Sequence, residues 1–427
     1  MRFPAVRLLL PVFVAALTAC SDQTKPTTEQ PSARPVEAPD TAAATVTPPS
    51  APVPAAIPEQ NVAAFLAGMP VAAGSTLQPL TAQPAWQAFA ADANKSWRNY
   101  DSTRTTKIER WAATELDSVR AASPTVFYPF SGPDFLNVTT MFPRSRQYIL
   151  VGLEPVGALP TRTTLEDPRL FPALKASLWS VLNFSFFRTN DMAIDLNGRN
   201  PDSTWLAKRN KTIGANPKKQ VKIDGVLPLL LLFAARTEHE VTAVRYIQLD
   251  AQGQVQDADT AVIRKPGLKV IPGVEVRLKS KGGLEKTVVY LSADLSDWKL
   301  GVTKEAALKY VRTLGPLTTY VKSATYLMHK SYFSKVRNLV MERSNYLLQD
   351  DSGIAMKYFP AGEWKFTFYG TYKRPINLFA KQYQPALTAA YTDSAHPPRP
   401  LPFGTGYNWR QNDSNLLLAQ RARPVTE

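Results

Sequence analysis

Apolar residues change their spacing several times along this chain, and each change marks an element. Trp86, Phe89, Trp97, Ile108 and Trp111 recur at helical intervals, which predicts one or two helices over 85–116. The apolar run 126–130 reads as a short strand. Ser131-Gly132-Pro133-Asp134 then opens a helix that must stop before Pro143. A second strand is expected over 147–153 and a long apolar helix over 169–187. Further on the pattern predicts a helix over 226–235 and strands over 241–249, 261–264, 274–278 and 287–291. Helices follow over 304–314 and 335–348, with an apolar segment at 318–328 between them. A strand at 363–369 and an apolar end at 415–420 complete the pattern.

Strands and helices interleave in the N-terminal half, and the strands turn antiparallel in flavour in the C-terminal half. The expected fold class is therefore α/β or α+β. It would be one large mixed domain over 80–427, with a candidate lobe boundary near 200–225. No internal repeat is visible.

The first sixty residues follow a different rule. Arg2 and Arg7 precede an apolar run at 8–17, and Leu17-Thr18-Ala19-Cys20 brings small residues up to a cysteine. That layout predicts a lipoprotein signal over 1–19 and lipid attachment at Cys20, the single cysteine of 427 residues. The apolar run is too short to span a bilayer, which takes roughly 20 apolar residues. Residues 20–60 hold nine prolines after the cysteine, among Ala, Thr, Ser and Val, and no aromatic residue. They are expected to form a disordered tether. With acylated Cys20 in a membrane, the domain would face the periplasm of a cell envelope. Ser21 after the cysteine favours the outer over the inner membrane.

Composition then narrows the partners. Fifty Lys and Arg against 35 Asp and Glu leave a net charge of +15. On an exported chain this points to an anionic glycolipid, phospholipid or cell-wall polymer, and away from nucleic acid. The densest basic stretch, at 208–222, contributes Lys208, Arg209, Lys211, Lys218 and Lys219 as candidate anion ligands. Ser131 and Gly132 join them, because a strand that turns tightly into a helix presents free backbone N–H groups.

Four acids carry the catalytic alternative. Asp134 follows the first strand and Glu154 the second. If those strands are parallel, both carboxyls emerge at one sheet edge, as acid–base chemistry on a glycoside would need. Asp350 and Asp351, in Gln349-Asp350-Asp351-Ser352-Gly353, form a second acidic candidate after an apolar helix. The three histidines, His239, His329 and His396, show no HExxH or paired spacing. No metal site and no cofactor is expected.

The strings YPFSGPDFL, LVGLEPVG, YLSADLSD, ATYLMHKSYFSKVRN, LLQDDSGI and LPFGTGYNW…SNLLLA, spread over 127–419, resemble those of an uncharacterised family of exported bacterial lipoproteins. The resemblance implies no catalytic residue and no ligand. The leading expectation is thus a lipid-anchored envelope protein that binds an anionic or carbohydrate polymer. A carboxylate-dependent hydrolase of such a polymer and a scaffold for envelope proteins are the alternatives.

Overall fold

The computed structural model describes residues 57–172, 174, 175, 178, 182, 225–407, 409 and 414–426. The signal, Cys20, nearly all of the tether, the basic residues Lys208, Arg209, Lys211, Lys218 and Lys219 and the 200–225 boundary lie outside the described residues, as does most of the expected 169–187 helix.

Ten strands build one mixed sheet: β1 (Thr125–Tyr128), β2 (Gln147–Gly152), β3 (His239–Leu249), β4 (Val255–Asp257), β5 (Ile271–Ser280), β6 (Glu285–Ser292), β7 (Leu317–Val321), β8 (Ser344–Gln349), β9 (Trp364–Gly370) and β10 (Asn415–Arg421). Their order is β4-β3-β5-β6-β2-β1-β7-β8-β10-β9. The central five, β6-β2-β1-β7-β8, are parallel. Antiparallel strands flank them on both sides. The mixed α/β domain read from the sequence is what forms, and the parallel pairing of β1 with β2 is present.

Alternate strand residues face opposite layers, and the two cores follow from that period of two. Val126, Tyr128, Tyr148 and Leu150 pack with Phe65, Trp97, Trp111 and the helix Leu227–Arg236 on one face. Phe127, Ile149 and Val151 pack with the helices Ala306–Arg312 and Ser334–Arg343 on the other. The sheet is buried on both faces, which explains why its central strands read as nearly continuous apolar runs.

Three local expectations change. Residues 261–264, read as a strand, lie in the helix Thr260–Arg264, because Asp259 caps it by accepting from the Val262 N–H at 2.8 Å. The helix expected over 335–348 ends at Arg343, and Ser344–Gln349 is β8, buried between β7 and β10. The fold also starts earlier than residue 80: the helix Glu59–Leu66 buries Val62, Phe65 and Leu66 against the first core. Among the described residues no helix is long and apolar enough to cross a membrane.

Candidate active site

β1 lies at the middle of the parallel set, with β2 on one side and β7 on the other. The chain leaves β1 for β2 through a helix and returns on the far side as β7, so the strand order reverses at β1. In open α/β sheets the crevice beyond the C-terminal strand ends at such a reversal is where ligands bind. The loops after β1, β2, β7 and β8 all emerge there, and they carry all four acids singled out in the sequence.

Asp134 anchors the site. Its carboxylate forms an ion pair with Lys322 at 2.8 Å, and the two side chains are only 2% and 1% exposed. The same carboxylate accepts from the Tyr128 hydroxyl at 3.0 Å and from the backbone N–H and the side-chain amide of Asn137 at 3.2 and 2.7 Å. Asp134 is thereby the cap of the helix Phe135–Met141 as well as a buried charge. Lys322 is the first residue after β7, and β7 pairs directly with β1, so sheet register brings the two charges together.

Asp350 and Asp351 follow β8. Asp350 accepts from the N–H groups of Ser323 and Ser352, at 2.8 and 3.0 Å, and from the Ser352 hydroxyl. Asp351 accepts from the Asn415 amide at 3.0 Å and is bonded to the Tyr326 hydroxyl. Burial, with the Asp350 charge second, pushes the Asp351 carboxyl up to about 7. Burial also raises Asp350, opposed by its bonds from Ser352 and Ser323 and by the Lys322 cation. Two adjacent buried carboxyls cannot both ionise cheaply, so the pair holds its second proton to higher pH than a free aspartate would.

Glu154 stands at the same edge after β2, half-buried against Gly132. Its backbone carbonyl accepts from Tyr290 at 2.7 Å, and burial raises its carboxyl. Gly152 is glycine for want of room. A Cβ there would come within 2.5 Å of the Glu154 carboxylate and 2.9 Å of the Gly132 Cα.

The loops are held under strain. Seven described non-glycine residues have positive φ, and four of them, Phe130, Ser323, Thr325 and Tyr326, follow β1 and β7. Each costs on the order of 1–3 kcal/mol, and such residues persist where surrounding contacts over-determine them. Three buried polar atoms in or beside the same loops, Tyr320 Oη, Ser323 Oγ and His329 Nε2, lack a hydrogen-bond partner. Burial, with nearby Lys357, lowers His329 to about 4, which leaves it neutral.

Ser131 and Gly132 are not arranged as an anion cradle. The Ser131 N–H donates to Val151 O at 2.8 Å, its hydroxyl to Gly132 O at 3.0 Å, and Gly132 faces the Glu154 carboxylate. The basic lining lies next door. A cleft of about 770 Å³ runs between residues 99–107 and 398–404, with Arg104, Lys107, Arg399 and Trp409 in its walls. Arg104 stacks on Trp409 with its guanidinium 4.4 Å from the ring centre. Ser414 lines this cleft, and the next residue, Asn415, holds Asp351. Among the described residues no three His, Cys, Asp or Glu side chains are grouped as metal ligands would be.

Lys322, Tyr326, Asn137 and Asn415 are not among the site residues singled out in the sequence. Lys322 alone carried a signal, as a lone cation ending the apolar run 317–321. No family model matches the chain, and neither a curated protein nor a solved structure matches it.

Proposed function

We propose that this protein is a carboxylate-dependent hydrolase acting on an anionic polymer of the cell envelope. The observation that carries the reading is the convergence, at the strand-order reversal, of a buried ion-paired Asp134 with the buried carboxyl pair Asp350 and Asp351, in which burial favours the protonated form. Acid–base hydrolysis needs one carboxyl that can give a proton and another that stays charged, each set by its surroundings. Asp351 suits the acid. Asp134, locked to Lys322 and Asn137, suits the charged partner. The adjoining basic, aromatic cleft is the right kind of lining for a polymer bearing carboxylates or phosphates.

The envelope setting rests on the signal and Cys20 read in the sequence. The binding-only alternative rests on the net charge and on the same basic cleft; five of its candidate ligands, Lys208, Arg209, Lys211, Lys218 and Lys219, lie outside the described residues.

The test is incubation of the protein with peptidoglycan and with lipopolysaccharide, followed by mass spectrometry of the soluble fraction. New fragments are expected, with their yield per hour falling at least 100-fold in an Asp351→Asn variant. Intact polymer under all conditions, or equal yield from the variant, would remove the proposal. Retention of polymer without fragments would restore the binding module.

A further inference from the structure

Large apolar side chains that stand exposed singly are ordinary on a protein surface. Their placement here is not. Six are 47–86% exposed: Leu153, Leu268, Trp298, Tyr332, Leu378 and Tyr383. Leu153 follows β2, Trp298 follows β6 and Tyr332 follows β7. Leu268 precedes β5, whose N-terminal end pairs with the C-terminal end of β6 through Gly273 and Leu291. Leu378 and Tyr383 lie between β9 and β10, in the excursion that begins where Gly370 pairs with Asn415. All six therefore project from one edge of the sheet, the one where the parallel strands end. Among the described residues the opposite edge carries none, and Trp298 stands on the short helix Asp297–Val302 that follows β6.

Cations accompany them. The Lys299 ammonium lies 4.6 Å from the Trp298 ring centre, and that of Lys330 lies 5.7 Å from Tyr332. Lys269 follows Leu268, and Lys381 lies between Leu378 and Tyr383. Lys265, Lys304, Lys357 and Lys373 are exposed cations in the connections at this edge, and the same set of connections holds the exposed acids Glu166, Asp259 and Asp393. Indole and phenol rings beside lysines are the composition of a membrane interface, where rings sit at headgroup level and ammonium groups meet phosphate. Leucines at three separate loop positions fit acyl chains better than they fit sugar faces, which would call for aromatic platforms.

We infer that this edge is a docking surface for a bilayer bearing anionic phospholipid. The inference is independent of Asp134, Asp350 and Asp351, since no side chain of the six apolar residues bonds these three carboxyls. A lipid anchor on a long tether would bring the domain to the bilayer, and this edge would set its orientation there, with the strand ends facing the lipid.

Residues Ala55–Glu427 form one compact unit containing both cores, so a chain of 21–427 keeps the fold while lacking the apolar run 8–17 and Cys20. Its flotation with phosphatidylcholine vesicles containing 30 mol% (about one lipid in three, in the range where anionic surface potential matters) phosphatidylglycerol is the experiment. Binding is expected. It should weaken at least tenfold on pure phosphatidylcholine, and at least tenfold in a Trp298→Ser, Tyr332→Ser, Leu378→Ser variant. An opposite-edge variant, Lys279→Gln with Lys281→Gln, and the Asp351→Asn variant should both bind as the parent does. Circular dichroism melts establish that each variant is folded. No flotation, equal flotation of the triple variant, or a lipid-free dimer in sedimentation that the triple variant disperses would overturn the inference; the last would assign the edge to a second copy of the chain.

Discussion

Asp351 has a carboxyl raised to about 7, against an ordinary aspartate value near 3.8. Between those values the folded state keeps a proton that the unfolded state has lost. Stability contributed by this group is therefore full at acid pH and is lost as pH rises from about 4 to about 7. His239 and His329, each lowered to about 4, act in the opposite sense, because the unfolded state takes up their protons below about 6.5. The prediction is thus made on a difference. An amide at 351 can still accept from Asn415 and can donate to the Tyr326 oxygen. In urea melts across pH 4–8, Asp351→Asn should gain stability relative to the parent as pH rises, by a few kcal/mol in all. A constant difference across that range would mean that Asp351 is ionised throughout. The Asp134–Lys322 pair makes a second claim. Lys322→Met strands a buried carboxylate and should cost about 3–5 kcal/mol, whereas Lys322→Met with Asp134→Asn should recover most of the loss. Equal melts for the single and double variants would show that the pair is not coupled. The acids themselves were legible in the sequence because each stands beside turn residues after an apolar run. Their partners were not: Lys322 reaches Asp134 only because β7 pairs with β1 across nearly two hundred residues of chain, and local pattern carries no information about that pairing.

At the scale of elements, periodicity located those whose burial was simple. β1, β2, β3, β5, β6 and β9 fall where apolar runs or alternation put them, and the helix Leu227–Arg236 falls where its leucines do. β7 and β8 were obscured for a shared reason. Both are central strands buried on two faces, and a short apolar run buried on two faces has the same composition as a buried helical segment. Ser344–Gln349 follows the helix Ser334–Arg343 directly, and no glycine or proline marks the break between them. The turn after β1 shows a related limit. Ser131-Gly132-Pro133-Asp134 announced a helix start correctly, but the cap is Asp134, and Ser131 is turned back onto β2 through the Val151 carbonyl. Which of two capable residues caps a helix depends on where the preceding strand leaves it. Here the choice has a chemical consequence, because the same carboxylate that caps the helix is the one that pairs with Lys322.

For the whole molecule, the question is where the tether ends and the domain begins. The helix Glu59–Leu66 sits beyond the proline-rich stretch, yet it is bound into the fold at several points. Phe65 stacks on Trp86 with ring centres 5.8 Å apart, and the Trp86 indole donates to the Phe65 carbonyl at 3.2 Å. The Gln60 side chain accepts from the Val241 N–H of β3 at 2.7 Å, and the Arg236 guanidinium donates to the Ala67 carbonyl. Val62, Phe65 and Leu66 are each at most 2% exposed. Burying three such side chains contributes about 5–9 kcal/mol, at roughly 1.5–3 kcal/mol each. Net stability of a domain is only about 5–15 kcal/mol, so removing this helix would take away much of it. A chain beginning at residue 55 should unfold cooperatively in urea, and one beginning at residue 70 should be aggregated or lack a cooperative transition. Matching midpoints for the two chains would make residues 57–67 part of the tether after all. The expected result has a functional corollary. The helix Glu59–Leu66 is fastened directly to the helix Leu227–Arg236 and to β3, so a pull on the chain before it would bear on the core of the sheet before it reached the loops that hold Asp134, Asp350 and Asp351.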